Sequence, residues 1–296
     1  MNTKLKGALA LLLAAIIFGS FGIWIRILNN EIGTYEQIFL RNTFAALFAL
    51  IFLKFRPKVD LGEVKKNRWN ILLYAVSVPL AVIAYVISVL NTTIAMTIFS
   101  FYIGSITGAI IISSIFFKEK WDKGKIISLC LAIAGLLTII YPFEFDKLGS
   151  GFLWGIAGGL LDSISNAFRK DLGGKIEKFF LVALTGISGI VIAGLMIVFT
   201  PGQSISSFID LSLGGWLLGA LFGFLLVSVN YLVLIGFKNF DLTIGTVIIA
   251  TEIFFTVLFG VVFLAEQPKL NELIGGLLIF LAAVIPSLML KLKAKN

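Results

Sequence analysis

Three charged side chains sit deep inside apolar stretches of this chain: Asp162, Glu252 and Arg41. A charge held in hydrocarbon costs at least ~2.5–3.5 kcal/mol on insertion scales, so each must face a partner, a cavity or a ligand. A carboxyl so placed can take up and release a proton or anchor an amine; the plainer role is to tie helices together by hydrogen bonds. A guanidinium is a planar fork shaped for a carboxylate or phosphate, or it can pair with a carboxylate of the chain itself. Trp24, Tyr85, Tyr102, Asn166, Asn230 and Tyr231 have side chains that can line the same space or serve as packing and interhelical glue. Arg26 lies nearer the end of its apolar run and is expected to snorkel to the interface.

Other chemistry is excluded by what the sequence lacks. It has no histidine, so no imidazole base, Ser–His dyad or His-ligated metal site can be built. The single cysteine, Cys130, excludes an intrachain disulfide and reads as a small packed hydrophobe. Neither a GxxxxGK[ST] phosphate loop nor a Gly-x-Gly-Asp protease pattern is present, so ATP coupling and intramembrane proteolysis are not expected. No enzyme activity, cofactor or metal is expected. The net charge of +8 is not a nucleic-acid signature, because only 14% of residues are charged while 59% are hydrophobic. A mean hydropathy of +1.04 instead makes the lipid bilayer the expected partner. The apolar run that opens the chain continues to about Leu28 without a convincing cleavage site, which marks a retained first span rather than a signal peptide.

The elements that must position the three charges are membrane-spanning helices, the only open-chain structure that satisfies its own backbone in lipid. At ~20 residues per crossing, breaks at charge and Gly/Pro/Asn clusters predict ten spans, at about 7–28, 35–54, 70–90, 94–117, 124–142, 151–170, 178–200, 213–235, 242–264 and 271–291. Asp162 and Glu252 are then each ~15–18 Å deep at ~1.5 Å per residue, near the bilayer middle. Arg41 is about six residues into the second span, nearer the outer face. Ten spans place twenty of the 24 Lys/Arg residues on the side of the termini, Arg169 and Lys125 among them, and only Lys147 and Lys269 opposite. That asymmetry places both termini in the cytoplasm, in the inner or plasma membrane.

The chain also repeats. Phe116-Phe117-Lys118-Glu119 and Phe263-Leu264-Ala265-Glu266 each end a long apolar run, 147 positions apart in 296 residues. Two five-span units, 7–142 and 151–291, must enter the membrane with opposite orientation because five is odd. Glu119 and Glu266 then fall on opposite faces. Inverted repeats of this kind are typical of secondary transporters, whose site lies near the midplane where the halves meet. Glycines four residues apart (Gly104/Gly108, Gly151/Gly155/Gly159 and Gly215/Gly219/Gly223) give helix faces on which neighbouring backbones can approach closely. Pro79 is expected to kink the third span.

Phe18-Gly19-Ser20 in span one, Leu40-Arg41 in span two, Thr251-Glu252 in span nine and the span-ending Glu119 and Glu266 together resemble the drug/metabolite transporter superfamily, in proteins built from two EamA-type domains. The resemblance implies an alternating-access carrier for amino acids, other small metabolites or drugs, often an exporter, with spans one to four and six to nine around a central cavity. Protons and a small-molecule substrate are the expected partners, and a homodimer is compatible. A channel or uniporter is the rival class. Two departures stand out: Ile253 replaces a proline common after the glutamate, and span six carries the polar run Asp162-Ser163-Ile164-Ser165-Asn166.

Overall fold

A computed structural model describes residues 3–92, 94–142, 149–264 and 269–293, and among them it contains helices and turns but no strand. Lys147, Glu266 and Lys295, with the side chains of Arg26, Lys291 and Lys293, lie outside the described residues, and with them the expectations placed on these positions. Thirteen α-helices occur among the described residues: α1 (Thr3–Gly19), α2 (Phe21–Asn29), α3 (Thr34–Leu53), α4 (Leu61–Lys66), α5 (Arg68–Asn91), α6 (Ile94–Ile115), α7 (Lys123–Ile139), α8 (Ser150–Leu172), α9 (Lys178–Phe199), α10 (Leu213–Asn239), α11 (Leu242–Ala250), α12 (Glu252–Leu264) and α13 (Leu270–Lys293). Carboxylate and hydroxyl caps start several of them. Asp122 accepts from the Lys125 amide, Glu177 from the Phe180 amide, and Ser212 from the Gly215 amide.

Seven helical stretches, with α1–α2 and α11–α12 counted as one each, are long and apolar enough to cross a membrane. The remaining apolar helices fall short for identifiable reasons. Helix α7 has 17 residues, and α8 carries the polar run around Asp162 together with Arg169 and Lys170.

Two of the expected spans are interrupted, each at one residue that tightens the turn while keeping right-handed helical backbone angles. Span one breaks at Ser20, between α1 and α2, and span nine at Thr251, between α11 and α12. In both, the hydroxyl at the break donates to the carbonyl three residues earlier, Ser20 Oγ to Ile17 O and Thr251 Oγ1 to Ile248 O, each at 2.7 Å. The backbone tightens in the same way, with Ser20 N donating to Ile17 O at 3.1 Å and Thr251 N to Ile248 O at 3.2 Å. Such back-bonding competes with the helical ladder and bends it, although Ser163 and Ser165 do the same within the unbroken α8. The two breaks also touch. A Cβ on Gly19 would meet Phe255 Cβ at 2.7 Å and the Glu252 carbonyl oxygen at 3.1 Å. Only glycine lets the two backbones approach this closely. Pro79, the expected kink, lies inside a single α5.

Packing divides most of the helices into two triads, counting the interrupted span α11–α12 as one member. Helix α8 packs along α5 and α6, and α1 packs against α10 and against α11–α12. Helices α3 and α9 pair, as do α7 and α13. The spaced glycines make the α6–α8 seam: Gly104 lies on the Ile156 backbone, Gly108 on Ser163, Gly155 on Ser100 and Gly159 on the Phe101 carbonyl. Gly219 and Gly223 of α10 do the same against Leu40 and Phe44 of α3. Cys130 is exposed rather than packed, on a surface that faces lipid in a membrane.

Candidate functional site

Helix α8 presents Asp162, Ser165, Asn166 and Arg169, residues three or four apart and therefore on one face. Asp162 Oδ2 accepts from Ser105 Oγ of α6 and from Asn166 Nδ2, both at 2.9 Å, while Oδ1 lies 3.6 Å from Arg169 Nη1. Arg169 Nη1 also donates to Asn166 Oδ1 at 2.5 Å and Ser165 Oγ at 3.2 Å, and Nη2 donates to Asn230 Oδ1 of α10 at 3.1 Å. The guanidinium lies 5.8 Å from the centre of the Tyr74 ring. Asp162 therefore has its own counter-ion. The sequence counted Arg169 as a loop charge, but the structure buries it at 4% exposure, which corrects that placement. The signal was present as Asp162 and Arg169 two helical turns apart on one face.

Glu252 is arranged differently. It opens α12 immediately after the Thr251 break and keeps partial accessibility. Tyr102 of α6 is the side chain nearest its carboxyl, with Tyr85 of α5 and Asp162 in the same neighbourhood. No salt bridge to Glu252 occurs among the described residues. The sequence pairs Tyr85 with Tyr102, and the structure joins them through Phe101, whose ring contacts Tyr85 at 5.3 Å and Tyr102 at 5.5 Å. Glu252 belongs to one triad; Tyr85, Tyr102 and Asp162 belong to the other. Glu252 thus lies across the seam between the triads from those three residues.

The remaining candidates divide. Trp24, one turn beyond the Ser20 break, donates from Nε1 to Ser20 Oγ at 3.1 Å. Arg41 is buried at 4% exposure over the Phe222 ring, 4.8 Å from its centre, and has no carboxylate partner among the described residues. Tyr231 stacks on Phe179 at 4.6 Å and approaches Arg56, so of its two open roles it takes packing. Among the described residues no three carboxylate, Cys or His groups come together as a metal site.

A second polar layer joins the triads at the end of the bundle where α6 finishes and α11 begins. Glu119, 6% exposed in its side chain, contacts Lys125 Nζ at 2.7 Å and Lys170 Nζ at 3.4 Å, and it accepts from the Leu242 amide at 2.7 Å. Lys170 Nζ donates to Phe240 O at 2.7 Å, and Ser113 and Thr243 share a 2.8 Å hydroxyl contact. On this side of the Thr251 break, α11 packs on α6 and α8 as well as on α1 and α13; beyond it, α12 packs on α1 and α13. The sequence marked Glu119 as a span-ending topological residue and missed that it fastens the two halves together.

Comparison with known proteins gives this geometry its context. The model of the EamA-like transporter family matches residues 5–141 and again 149–288, nearly the whole chain in two copies. The chain belongs to the EamA-like transporter family. Its seven apolar helical stretches of spanning length fit a multi-pass membrane protein. Two relatives, each an uncharacterized transporter of Helicobacter pylori, strains J99 and 26695, are 26% identical over 200 and 199 residues. Those matches span 66% of this chain and 66% of each relative, just under two thirds of the relatives' length. The uncharacterized transporter YxxF of Bacillus subtilis is 21% identical over 288 residues, covering 94% of this chain and 88% of that protein. One crystal structure superposes with a TM-score of 0.75 at 15% identity, over 97% of this chain and 98% of that one, and so shares the fold.

Burial pushes the Glu119 carboxyl up, but the Lys125 and Leu242 hydrogen bonds and the charges of Lys125 and Lys170 outweigh it and hold it below the ordinary glutamate value. A depressed folded value means that the fastening stabilises fully above the unfolded carboxylate range and is lost as pH falls through the folded value. In this EamA-like transporter, Glu119→Gln leaves Lys125 buried without its counter-ion. Thermal unfolding at pH 7 should show a loss of about 3–5 kcal/mol. The acid-side fall in stability should also be shallower in the variant than in the wild type. Equal stability of the two proteins at pH 7 would show that this layer fastens nothing.

Proposed function

We propose that this transporter is a secondary carrier working by alternating access, with its ten spans arranged as two inverted repeats, 7–142 and 151–291. The seven long apolar stretches together with α7, α8 and α13 make up those ten. Both termini are cytoplasmic, in the inner or plasma membrane, consistent with the Lys/Arg asymmetry. The substrate is a small metabolite, an amino acid or related compound, and the direction is export coupled to protons.

One observation carries the reading. Glu252, without a cation partner among the described residues, stands at a helix break and lies across the seam between the triads from Tyr102 and Asp162. Broken helices at the contact of two halves are where secondary carriers place substrate and coupling-ion sites. A carboxyl there can bind a proton or an ammonium group, and either ligand changes the charge at the surface along which the triads move. With the Glu119 layer fastening one end, rocking of the triads about the seam opens one face while the other stays closed.

The test is flux into proteoliposomes loaded with amino acids, amines, nucleosides or sugars. A carrier gives saturable uptake with counterflow and responds to an imposed pH gradient. Conductance that rises without saturation and shows no counterflow would replace this reading with a channel.

A further inference from the structure

We propose that Arg41 forms an internal anion site, filled during transport by the carboxylate of the solute. The proposal rests on the carrier reading for the word transport, but the binding site itself stands on separate observations.

Two guanidiniums are buried among the described residues, and their terminal nitrogens are treated in opposite ways. Arg169 has Asp162, Asn166, Ser165 and Asn230 around it. Arg41 is equally buried at 4% exposure, yet among the described residues no acceptor is bonded to it; Nε lacks a partner in both arginines, and the contrast lies in the terminal nitrogens. Neither carboxylate nearest in the chain pairs with Arg41 among the described residues: Glu36 Oε1 accepts from the Ser204 amide at 3.0 Å while its buried Oε2 has no partner, and Glu31 Oε2 accepts from the Ser212 amide at 3.2 Å. The Phe222 ring, 4.8 Å away, offers its negative face but no counter-charge. Arginine keeps its proton in a protein, so it cannot relieve the burial by becoming neutral. A missing anion is the direct way to complete this environment.

Position says which anion. Phe222, under Arg41, meets the Phe21 ring at 4.8 Å, and Phe21 is the first residue of α2 after the Ser20 break. Gly19, on the other side of the same break, lies on the Glu252 backbone. Arg41, through Phe222 and Phe21, and the Glu252 backbone, through Gly19, therefore approach one helix interruption, from α3 and α12. A single guanidinium balances a single negative charge, and its planar fork matches a carboxylate. A ligand with a carboxylate for Arg41 and an ammonium group for Glu252 neutralises both. Asp162, already paired with Arg169, anchors neither end.

The test uses the purified full chain. Glycine, alanine, leucine and lysine are titrated beside their carboxamides, followed by thermal shift, on the wild type, Arg41→Gln and Arg41→Lys. Expected is at least tenfold tighter binding of one or more acids over the matching amide in the wild type, lost in Arg41→Gln and partly kept in Arg41→Lys. Without ligand, Arg41→Gln should unfold at the wild-type temperature or above it, because no partner is orphaned by its removal. Equal response to acids and amides, response to neither, or a large destabilisation of ligand-free Arg41→Gln would overturn the anion site. Preference for acids without counterflow in proteoliposomes removes the carrier reading and leaves the anion site standing. Counterflow of uncharged solutes, unchanged in Arg41→Gln, does the reverse.

Discussion

Glu252→Gln is expected to abolish proton-driven accumulation while leaving the protein folded. The two halves of that expectation have separate causes. Stability should hold because Glu252 has no cation partner among the described residues, so the substitution leaves no buried charge orphaned. A glutamine is also close in shape and can still meet Tyr102, the side chain nearest the Glu252 carboxyl. Function should not hold, because an amide neither takes up a proton in the working pH range nor offers a negative charge to an ammonium group. Removing one member of a buried charged contact costs about 2–5 kcal/mol, which is roughly 30-fold to several thousand-fold in affinity or flux. Uphill flux in a pH gradient should fall to background across that range. Counterflow measured without a gradient separates the two roles of the carboxyl. If it survives, Glu252 serves the proton alone; if it is lost too, Glu252 also holds the substrate. Normal gradient-driven accumulation by the folded variant would remove Glu252 from the mechanism.

The sequence was most legible where the physics is one-dimensional. Apolar run length and charge clusters predicted helix positions to within a few residues for most of the chain. Two EamA-like matches agree with a repeat first seen as two glutamate-ended runs. The spaced glycines marked real seams, with Gly155 and Gly159 of α8 against α6 and Gly219 and Gly223 of α10 against α3. The breaks at Ser20 and Thr251 were not legible. They depend on two interruptions meeting through Gly19, a contact between residues more than two hundred positions apart, and the one proline in the middle of a span pointed elsewhere. Asp162, Asn166, Tyr85 and Tyr102 were named from residue type and depth alone, and the structure brings them to one seam. Arg169 and Lys125 were missed for one shared reason. A basic residue near a predicted span end is counted as loop charge, and only packing shows that each is turned inward onto a carboxylate.

Arg169→Met should be the most destabilising of the polar substitutions, and the Asp162–Arg169 pair should show strong coupling. The variant takes away the counter-ion of Asp162 together with the donors that Ser165, Asn166 and Asn230 accept from. Breaking a buried pair by removing one partner costs about 3–5 kcal/mol, whereas replacing both with well-packed apolar groups is often neutral or better. Asp162→Asn strands the guanidinium less completely, since Asn166 and Asn230 still receive its protons. A double variant, Asp162→Leu with Arg169→Met, should therefore be more stable than Arg169→Met alone and depart from additivity by about 1–3 kcal/mol. Thermal unfolding of the four proteins measures this coupling. Flux per folded molecule then distinguishes the two membrane-buried acids. If Asp162 acts by holding α8 to α6 and α10, the double variant keeps gradient-driven transport, where Glu252→Gln has none. A folded double variant without gradient-driven transport would move the coupling role to Asp162, and additive losses would show that the pair is two independent contacts.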